Sequence, residues 1–107
     1  MNKPLPQQRV RRNTPTSGAT NVAIIGAGRG GTALMEIFAN DPLVQIVGVA
    51  ELDQKAPGVG LAKQLNIPIT QDYRQLLAME RVDLIIDVSG DGEVWQFLQD
   101  FHRMGVT

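Results

Sequence analysis

A glycine-rich segment in the first third of the chain carries the clearest signal for chemistry. It reads Gly26, Ala27, Gly28, Arg29, Gly30 and Gly31, which satisfies the pattern G-x-G-x-x-G. In that pattern the first glycine permits a sharp turn, the second lets a diphosphate approach the backbone, and the third lets a helix pack closely on a sheet. The amino end of that helix offers N–H groups and a positive dipole to an anion. We therefore expect residues 26–31 to bind the pyrophosphate of a dinucleotide; a tight strand-to-helix turn without a ligand is the alternative.

An acidic residue supports the dinucleotide interpretation. Glu51 stands twenty positions after Gly31, at the end of a second apolar run, where a carboxylate can accept hydrogen bonds from the adenosine ribose. A carboxylate there repels a 2′-phosphate, so we expect NAD(H) to be favoured over NADP(H). Leu52 follows it and is included in the predicted site, whereas an exposed charge after a strand is the alternative for Glu51. Arg29 either contacts the diphosphate or a 2′-phosphate, or is a solvated loop arginine.

A third candidate segment follows the last apolar run. Ser89 and Gly90 lie where a strand would end beside the nucleotide crevice, so they either contact the cofactor or a substrate, or form an ordinary turn. No residue is assigned a catalytic role. Cysteine is absent and His102, the only histidine, falls on the last predicted helix far in sequence from the crevice, so we expect no metal site.

The elements that must position these residues follow an alternating order. Short β-rich runs separated by helical stretches predict an α/β fold of the Rossmann-like, three-layer α/β/α type. Right-handed crossovers give a parallel sheet of order 3-2-1-4, with the nucleotide crevice at the switch between strands one and four. The predicted strands are residues 22–25, 44–50, 67–70 and 82–88, and Val106-Thr107 is the predicted start of a fifth.

Local signals refine this arrangement. Continuous apolar runs predict that strands one and four are buried. Pro68 places the third strand at an edge of the sheet, because proline cannot donate to a ladder. Asn66 is expected in a left-handed conformation at the end of the second helix. Asp72 with Gln75 three residues later resembles a capping box at the start of the third helix.

Composition bounds the class of protein. The chain has 107 residues, 43% of them apolar and 20% charged, with no run long enough to span a membrane, so we expect a soluble, cytoplasmic protein. Residues 1–20 are read as a disordered basic tail and residues 21–107 as one dinucleotide-binding domain that is truncated at its last strand. The tail has four basic residues without interleaved aromatic side chains, so a nucleic-acid partner is not expected.

The span from Asn21 to about Gly90 resembles the amino-terminal domain of the Gfo/Idh/MocA oxidoreductases, the family of glucose-fructose oxidoreductase and inositol dehydrogenase. The matching segments are residues 22–31, 47–53, 66–68, Asp72-Tyr73, Leu76-Leu77 and 82–86. The resemblance implies that Gly26, Gly28, Gly31 and Glu51 hold a nicotinamide cofactor. It also implies that the chemistry is carried by a downstream lysine motif and a second α+β domain, which this chain does not reach.

The sequence departs from that family after strand four, where residues 87–91 read Asp-Val-Ser-Gly-Asp in place of a turn containing Thr-Pro. The glycine loop and this segment also resemble nucleotide-binding domains joined to bacterial signalling modules. Two main hypotheses follow: the cofactor domain of an NAD-dependent oxidoreductase, incomplete alone, or a redox-sensing regulatory domain. A binder of an adenine nucleotide or of another phosphate compound is a third. Expected partners are the dinucleotide and either a second copy or a missing carboxyl-terminal domain.

Overall fold

A computed structural model describes residues 18–103, through which strands and helices alternate as predicted. The elements are β1 (Thr20–Ile25), α1 (Arg29–Ala39), β2 (Val44–Ala50), α2 (Pro57–Gln64), β3 (Ile69–Thr70), α3 (Arg74–Leu77), β4 (Leu84–Asp87) and α4 (Gly92–Arg103). The predicted fifth strand at residues 106–107 and nearly all of the predicted basic tail lie outside the described residues, as does the side chain of His102.

The four strands form one parallel sheet in the order β3-β2-β1-β4. This order confirms the predicted Rossmann-like topology, and it brings the carboxyl ends of all four strands to one edge of the sheet. The edge position of β3 is also confirmed. Its neighbour Pro68 contributes to the ladder only as an acceptor, because the Pro68 carbonyl receives the N–H of Val49 at 3.0 Å.

Two apolar clusters cover the two faces of the sheet and create the three layers. Alternate residues of β1 point to opposite faces, so Val22 and Ile24 pack beneath α1 and α2. Ala23 and Ile25 pack on the opposite face with side chains of α3 and α4. Met35 of α1 is fully buried in the first cluster. Asn66, which follows α2, has φ +60°, the left-handed conformation expected from its side chain.

An irregularity in β2 changes which face its residues occupy. Val22 pairs with Ile46 and Ala23 pairs with Gly48, so the register slips by one residue at Val47. Ile46 and Val49 would face opposite sides of a regular strand, yet both belong to the cluster beneath α1 and α2. The bulge at Val47 therefore reverses the phase of β2: after it, the residues face the opposite side of the sheet from the one they would face in a regular strand.

The prediction that strand four is buried is wrong. β4 extends only from Leu84 to Asp87, and Leu84 is 49% exposed. In the described part of the chain β4 pairs on one side only, with β1. An apolar run in the sequence cannot distinguish such an edge strand from a central one.

The predicted capping box at α3 is also wrong. The carboxylate of Asp72 accepts the N–H of Arg74 at 3.0 Å, and no side chain caps the helix. The Gln75 side chain accepts the hydroxyl of Thr70 and does not reach back to Asp72. The Asp72 N–H is itself bonded to the Thr70 hydroxyl at 3.1 Å, so Thr70 takes both partners of one capping-box bond. The N–H of Gln75, which the other bond would use, donates instead to the backbone carbonyl of Asp72 at 3.0 Å.

Candidate functional site

An open groove of about 540 Å³ runs along the carboxyl edge of the sheet. Every strand contributes to it, either directly or through the loop that follows. The lining residues are Ile25, Gly26, Ala50, Glu51, Leu52, Gln71, Asp72, Tyr73, Arg74, Ser89, Asp91, Glu93 and Val94. The groove therefore occupies the position where open α/β sheets bind ligands, and it includes the predicted switch between β1 and β4.

Two glycines shape the turn from β1 into α1. Gly26 has φ +109°, a conformation that L side chains rarely adopt, and its N–H donates to the carbonyl of Ala50 at 2.8 Å. A Cβ on Gly26 would lie 2.9 Å from the backbone nitrogen of Ser89. A Cβ on Gly31 would collide with the backbone of Gly26. The first and third glycines thus allow a sharp turn and close helix packing, as expected from the pattern.

The middle of the loop is open. A Cβ on Gly28 would meet nothing within 4 Å. Within the described chain no group accepts the N–H of Gly28, Arg29 or Gly30, which stand at the start of α1, and Gly28 supplies no side-chain cap. Arg29 and Gly30 are exposed. The loop therefore offers unpaired donors beside free space, which suits an anion such as a diphosphate.

Glu51 is half-buried and connects two loops. One carboxylate oxygen accepts the N–H of Ala27 at 2.7 Å, and the other accepts the N–H of Asp53 at 3.0 Å. Glu51 is thus held against the glycine loop while it lines the groove. Each carboxylate oxygen can accept a further hydrogen bond from the groove side. Leu52, the next residue, is 76% exposed and lines the groove.

The segment after β4 is a series of tight turns. The hydroxyl and the N–H of Ser89 both donate to one carboxylate oxygen of Asp87, at 2.7 Å and 2.9 Å. The Ser89 hydroxyl accepts the N–H of Asp91, whose carboxylate accepts the N–H of Glu93 at the start of α4. Gly90 has φ +72° and does not line the groove. Turn formation therefore explains the Ser-Gly pair, and only Ser89 of the two lines the groove.

The predicted site residues do not all reach the groove. Gly26, Glu51, Leu52 and Ser89 line it. Ala27 and Gly31 are buried, and Gly28, Arg29 and Gly30 at the start of α1 are more exposed but are not among the residues that line the groove.

The sequence interpretation included Ser89 after β4 but missed the groove residues that follow β3 and those at the start of α4. Gln71, Asp72, Tyr73 and Arg74 follow β3 in the groove wall, and Asp91, Glu93 and Val94 begin the wall formed by α4. The rule that placed Glu51 in the site, namely its position just after a parallel strand, applies equally to the residues after β3 and would have identified them. It does not identify Glu93 and Val94, which belong to α4.

Charge in the groove is predominantly negative. Of the lining side chains in the described chain, four are carboxylates and one, Arg74, is a cation. Arg74 forms an exposed ion pair with Asp72 at 3.1 Å and lies 5.8 Å from the centre of the Tyr73 ring. The pKa of Asp72 is lowered, first by the backbone N–H of Arg74 and then by its guanidinium.

The described residues also limit other kinds of site. No group of three or more histidine, cysteine, aspartate or glutamate side chains among them is arranged to hold a metal ion. No helix within residues 18–103 is both long and apolar enough to cross a membrane.

Comparison with known proteins identifies one family. The family model Gfo/Idh/MocA, described as an oxidoreductase family with an NAD-binding Rossmann fold, matches residues 20–103. GenD2 from gentamicin A biosynthesis, solved in complex with NAD, is 25% identical with a TM-score of 0.62 over 76% of this chain and 23% of its own. No curated protein matches the chain.

Two further solved structures share the fold. A scyllo-inositol dehydrogenase from Lactobacillus casei, with bound NAD(H) and scyllo-inositol, is 18% identical with a TM-score of 0.65 over 81% of this chain and 26% of its own. A putative NADPH-dependent oxidoreductase from Desulfitobacterium hafniense is 20% identical with a TM-score of 0.66 over 81% and 25%. The chain spans about a quarter of the length of these three structures.

Proposed function

This chain belongs to the oxidoreductase family with an NAD-binding Rossmann fold, and we propose that it holds NAD(H) in the groove at the carboxyl edge of its sheet. In this proposal it is the cofactor domain of an oxidoreductase. The cofactor supplies hydride transfer when bound, and residues outside this chain supply the substrate site. The chain's own task is to bind and orient the dinucleotide.

The glycine loop carries the proposal. Three backbone N–H groups, those of Gly28, Arg29 and Gly30, have no acceptor in the described chain. They stand beside the space that a Cβ on Gly28 would enter without contact. A diphosphate placed there would receive these hydrogen bonds and the positive end of the α1 dipole. The groups that the loop leaves unpaired are therefore those that a dinucleotide would satisfy.

Glu51 is assigned to the adenosine ribose. Its carboxylate lines the groove beside the loop and retains acceptor capacity for two hydroxyl groups. A 2′-phosphate would add negative charge to a groove that already holds four carboxylates, so NAD(H) is preferred over NADP(H). The exposed side chain of Arg29 is the nearest candidate in sequence for partial compensation of that charge.

A second candidate function, reporting the redox state of the nucleotide without turnover, is favoured by one observation. The groove lining contributed by residues 18–103 includes neither lysine nor histidine, and Ser89 and Asp91 are both committed to turns. Lysine and histidine side chains are among the groups on which proton transfer to an alcohol or ketone commonly depends. Hydride exchange between NAD(H) and a carbonyl substrate in the full-length protein would favour the enzyme, and binding without turnover would favour the sensor.

Calorimetric titration tests nucleotide binding directly. The chain is titrated with NADH, NADPH and ADP-ribose, and the titrations are repeated on Gly28→Val, whose side chain would fill the space beside the loop. We expect the chain to bind NADH more tightly than NADPH. In Gly28→Val we expect the affinity for all three ligands to fall at least tenfold. Gly60→Val is the matched control, since Gly60 also has nothing within 4 Å but lies in α2 outside the groove. Absence of binding by the unsubstituted chain would refute the proposal.

A further inference from the structure

We propose that Glu51 is a positioning residue, which holds the glycine loop in its binding conformation before any nucleotide arrives. This inference rests on the proposed function and adds a second role to the ribose contact assigned there. It predicts that Glu51 contributes to the affinity for ligands that have no ribose hydroxyl groups at all.

The peptide groups around Ala27 are fixed from both sides by one stretch of chain. The Ala27 N–H donates to the Glu51 carboxylate at 2.7 Å, and the Ala27 carbonyl accepts the N–H of Gly58 at 2.7 Å. Ala27 itself is fully buried. Residues 51–58 thus clamp the residue between the first two glycines of the loop.

Gly58 can make this contact because it has no Cβ. A Cβ on Gly58 would lie 2.6 Å from the Ala27 carbonyl oxygen and 2.8 Å from the Thr32 hydroxyl. Glycine therefore lets the start of α2 reach the backbone of the loop. The clamp consists of the Glu51 carboxylate on one side of Ala27 and the backbone N–H of Gly58 on the other.

The bulge in β2 directs Glu51 toward the loop. Because the register slips at Val47, Val49 faces the cluster beneath α1 and α2. Glu51 comes two residues later and its N–H continues the ladder to the Thr70 carbonyl at 2.9 Å, so it returns to the same face. Without the bulge the strand phase would turn Glu51 away from Ala27.

The carboxylate matters because it has two acceptor oxygens. One serves Ala27 and the other serves Asp53, and hydrogen bonds to an ionised acceptor are about twice as strong as neutral ones. A glutamine side chain has one acceptor and one donor, so it can satisfy only one of the two N–H groups. Alanine satisfies neither. A loop already held in place binds its ligand without an ordering cost, which raises affinity.

Amide hydrogen exchange of the free chain is the first test. We expect the Ala27 and Asp53 amides both to exchange about tenfold faster in Glu51→Ala, and only one of the two in Glu51→Gln. The Gly26 and Val88 amides, which donate to Ala50 and Ile25 carbonyls, should remain protected and report an intact sheet edge. Glu36→Gln, an exposed carboxylate change on α1, should alter none of them. Unchanged protection of Ala27 and Asp53 in Glu51→Ala would overturn the inference.

Binding of ADP and of 2′,3′-dideoxy-ADP is the second test. If Glu51 only contacted ribose hydroxyls, Glu51→Gln would leave the affinity for the dideoxy compound unchanged, and that result would also overturn the inference. We expect Glu51→Gln to lower the affinity for the dideoxy compound by at least threefold and the affinity for ADP by more. If the unsubstituted chain binds neither compound, the proposed function fails, whereas the exchange comparison still decides whether Glu51 holds the loop.

Discussion

Gly31 packs directly on Gly26: a Cβ on Gly31 would stand 2.0 Å from the Gly26 carbonyl oxygen. The obstructing atom belongs to the backbone, so it cannot rotate away as a side chain would. Gly31→Ala must therefore push α1 away from the turn after β1, and we expect it to lower the free energy of unfolding by about 3 kcal/mol. Urea denaturation monitored by circular dichroism measures this change.

Gly60→Ala is the control for that substitution, because its new methyl group would meet nothing within 4 Å. Alanine is favoured over glycine inside a helix by about 1 kcal/mol, so Gly60→Ala should be as stable as the original chain or more so. Equal stability of Gly31→Ala and the original chain would contradict the close packing of these two glycines.

The core beneath α1 provides a second prediction. Met35 is fully buried among β1, β2 and α2, so Met35→Ala removes apolar contacts and leaves a cavity. We expect a loss of about 2–5 kcal/mol in the free energy of unfolding. Ile37, two residues further along the same helix, is 63% exposed, and Ile37→Ala should cost no more than about 0.5 kcal/mol. Similar losses for the two variants would show that α1 is rotated from the orientation described.

The ion pair at the end of β3 makes a pH-dependent prediction. The pKa of Asp72 is lowered, so its contribution to stability is present above the ordinary aspartate pKa and is lost as the pH falls through the lowered value. The backbone N–H of Arg74 is the main cause and its guanidinium the second. Arg74→Ala should therefore raise the pKa of Asp72 only part of the way to normal, as measured by a carboxyl-carbon NMR titration.

A complete return of the Asp72 pKa to its ordinary value in Arg74→Ala would assign the shift to the guanidinium. Both side chains are largely exposed, 64% for Arg74 and 44% for Asp72. We consequently expect little change in stability at neutral pH from this substitution.

Much of the fold could be predicted because its signals are local. The apolar run of β1, the glycines after it and the acid after β2 each identify a position in a parallel sheet. The bulge at Val47 could not be predicted, because residues 46–50 are apolar throughout and no alternation of polar and apolar residues reveals which face each one occupies.

The site was predicted less completely for a related reason. The position of Glu51 in the site follows from the sequence, but its bond to Ala27 depends on the reversed phase of β2. The capping box was wrong because the Thr70 hydroxyl, which is near in space, competes for the same groups. Such competition depends on side-chain distances that spacing along the chain does not specify.

Selectivity between the two nicotinamide cofactors provides the last prediction. Glu51→Ser removes the carboxylate that would repel a 2′-phosphate, so the ratio of NADPH affinity to NADH affinity should rise about tenfold. The absolute affinity for NADH should fall, because the ribose contact and the hydrogen bond from the Ala27 N–H to the carboxylate are both lost. Asp53→Ser is the control: this exposed carboxylate lies two residues away and outside the groove lining, so it should change the ratio by less than about twofold. An unchanged ratio in Glu51→Ser, measured by parallel calorimetric titrations, would mean that charge elsewhere in the groove determines the preference.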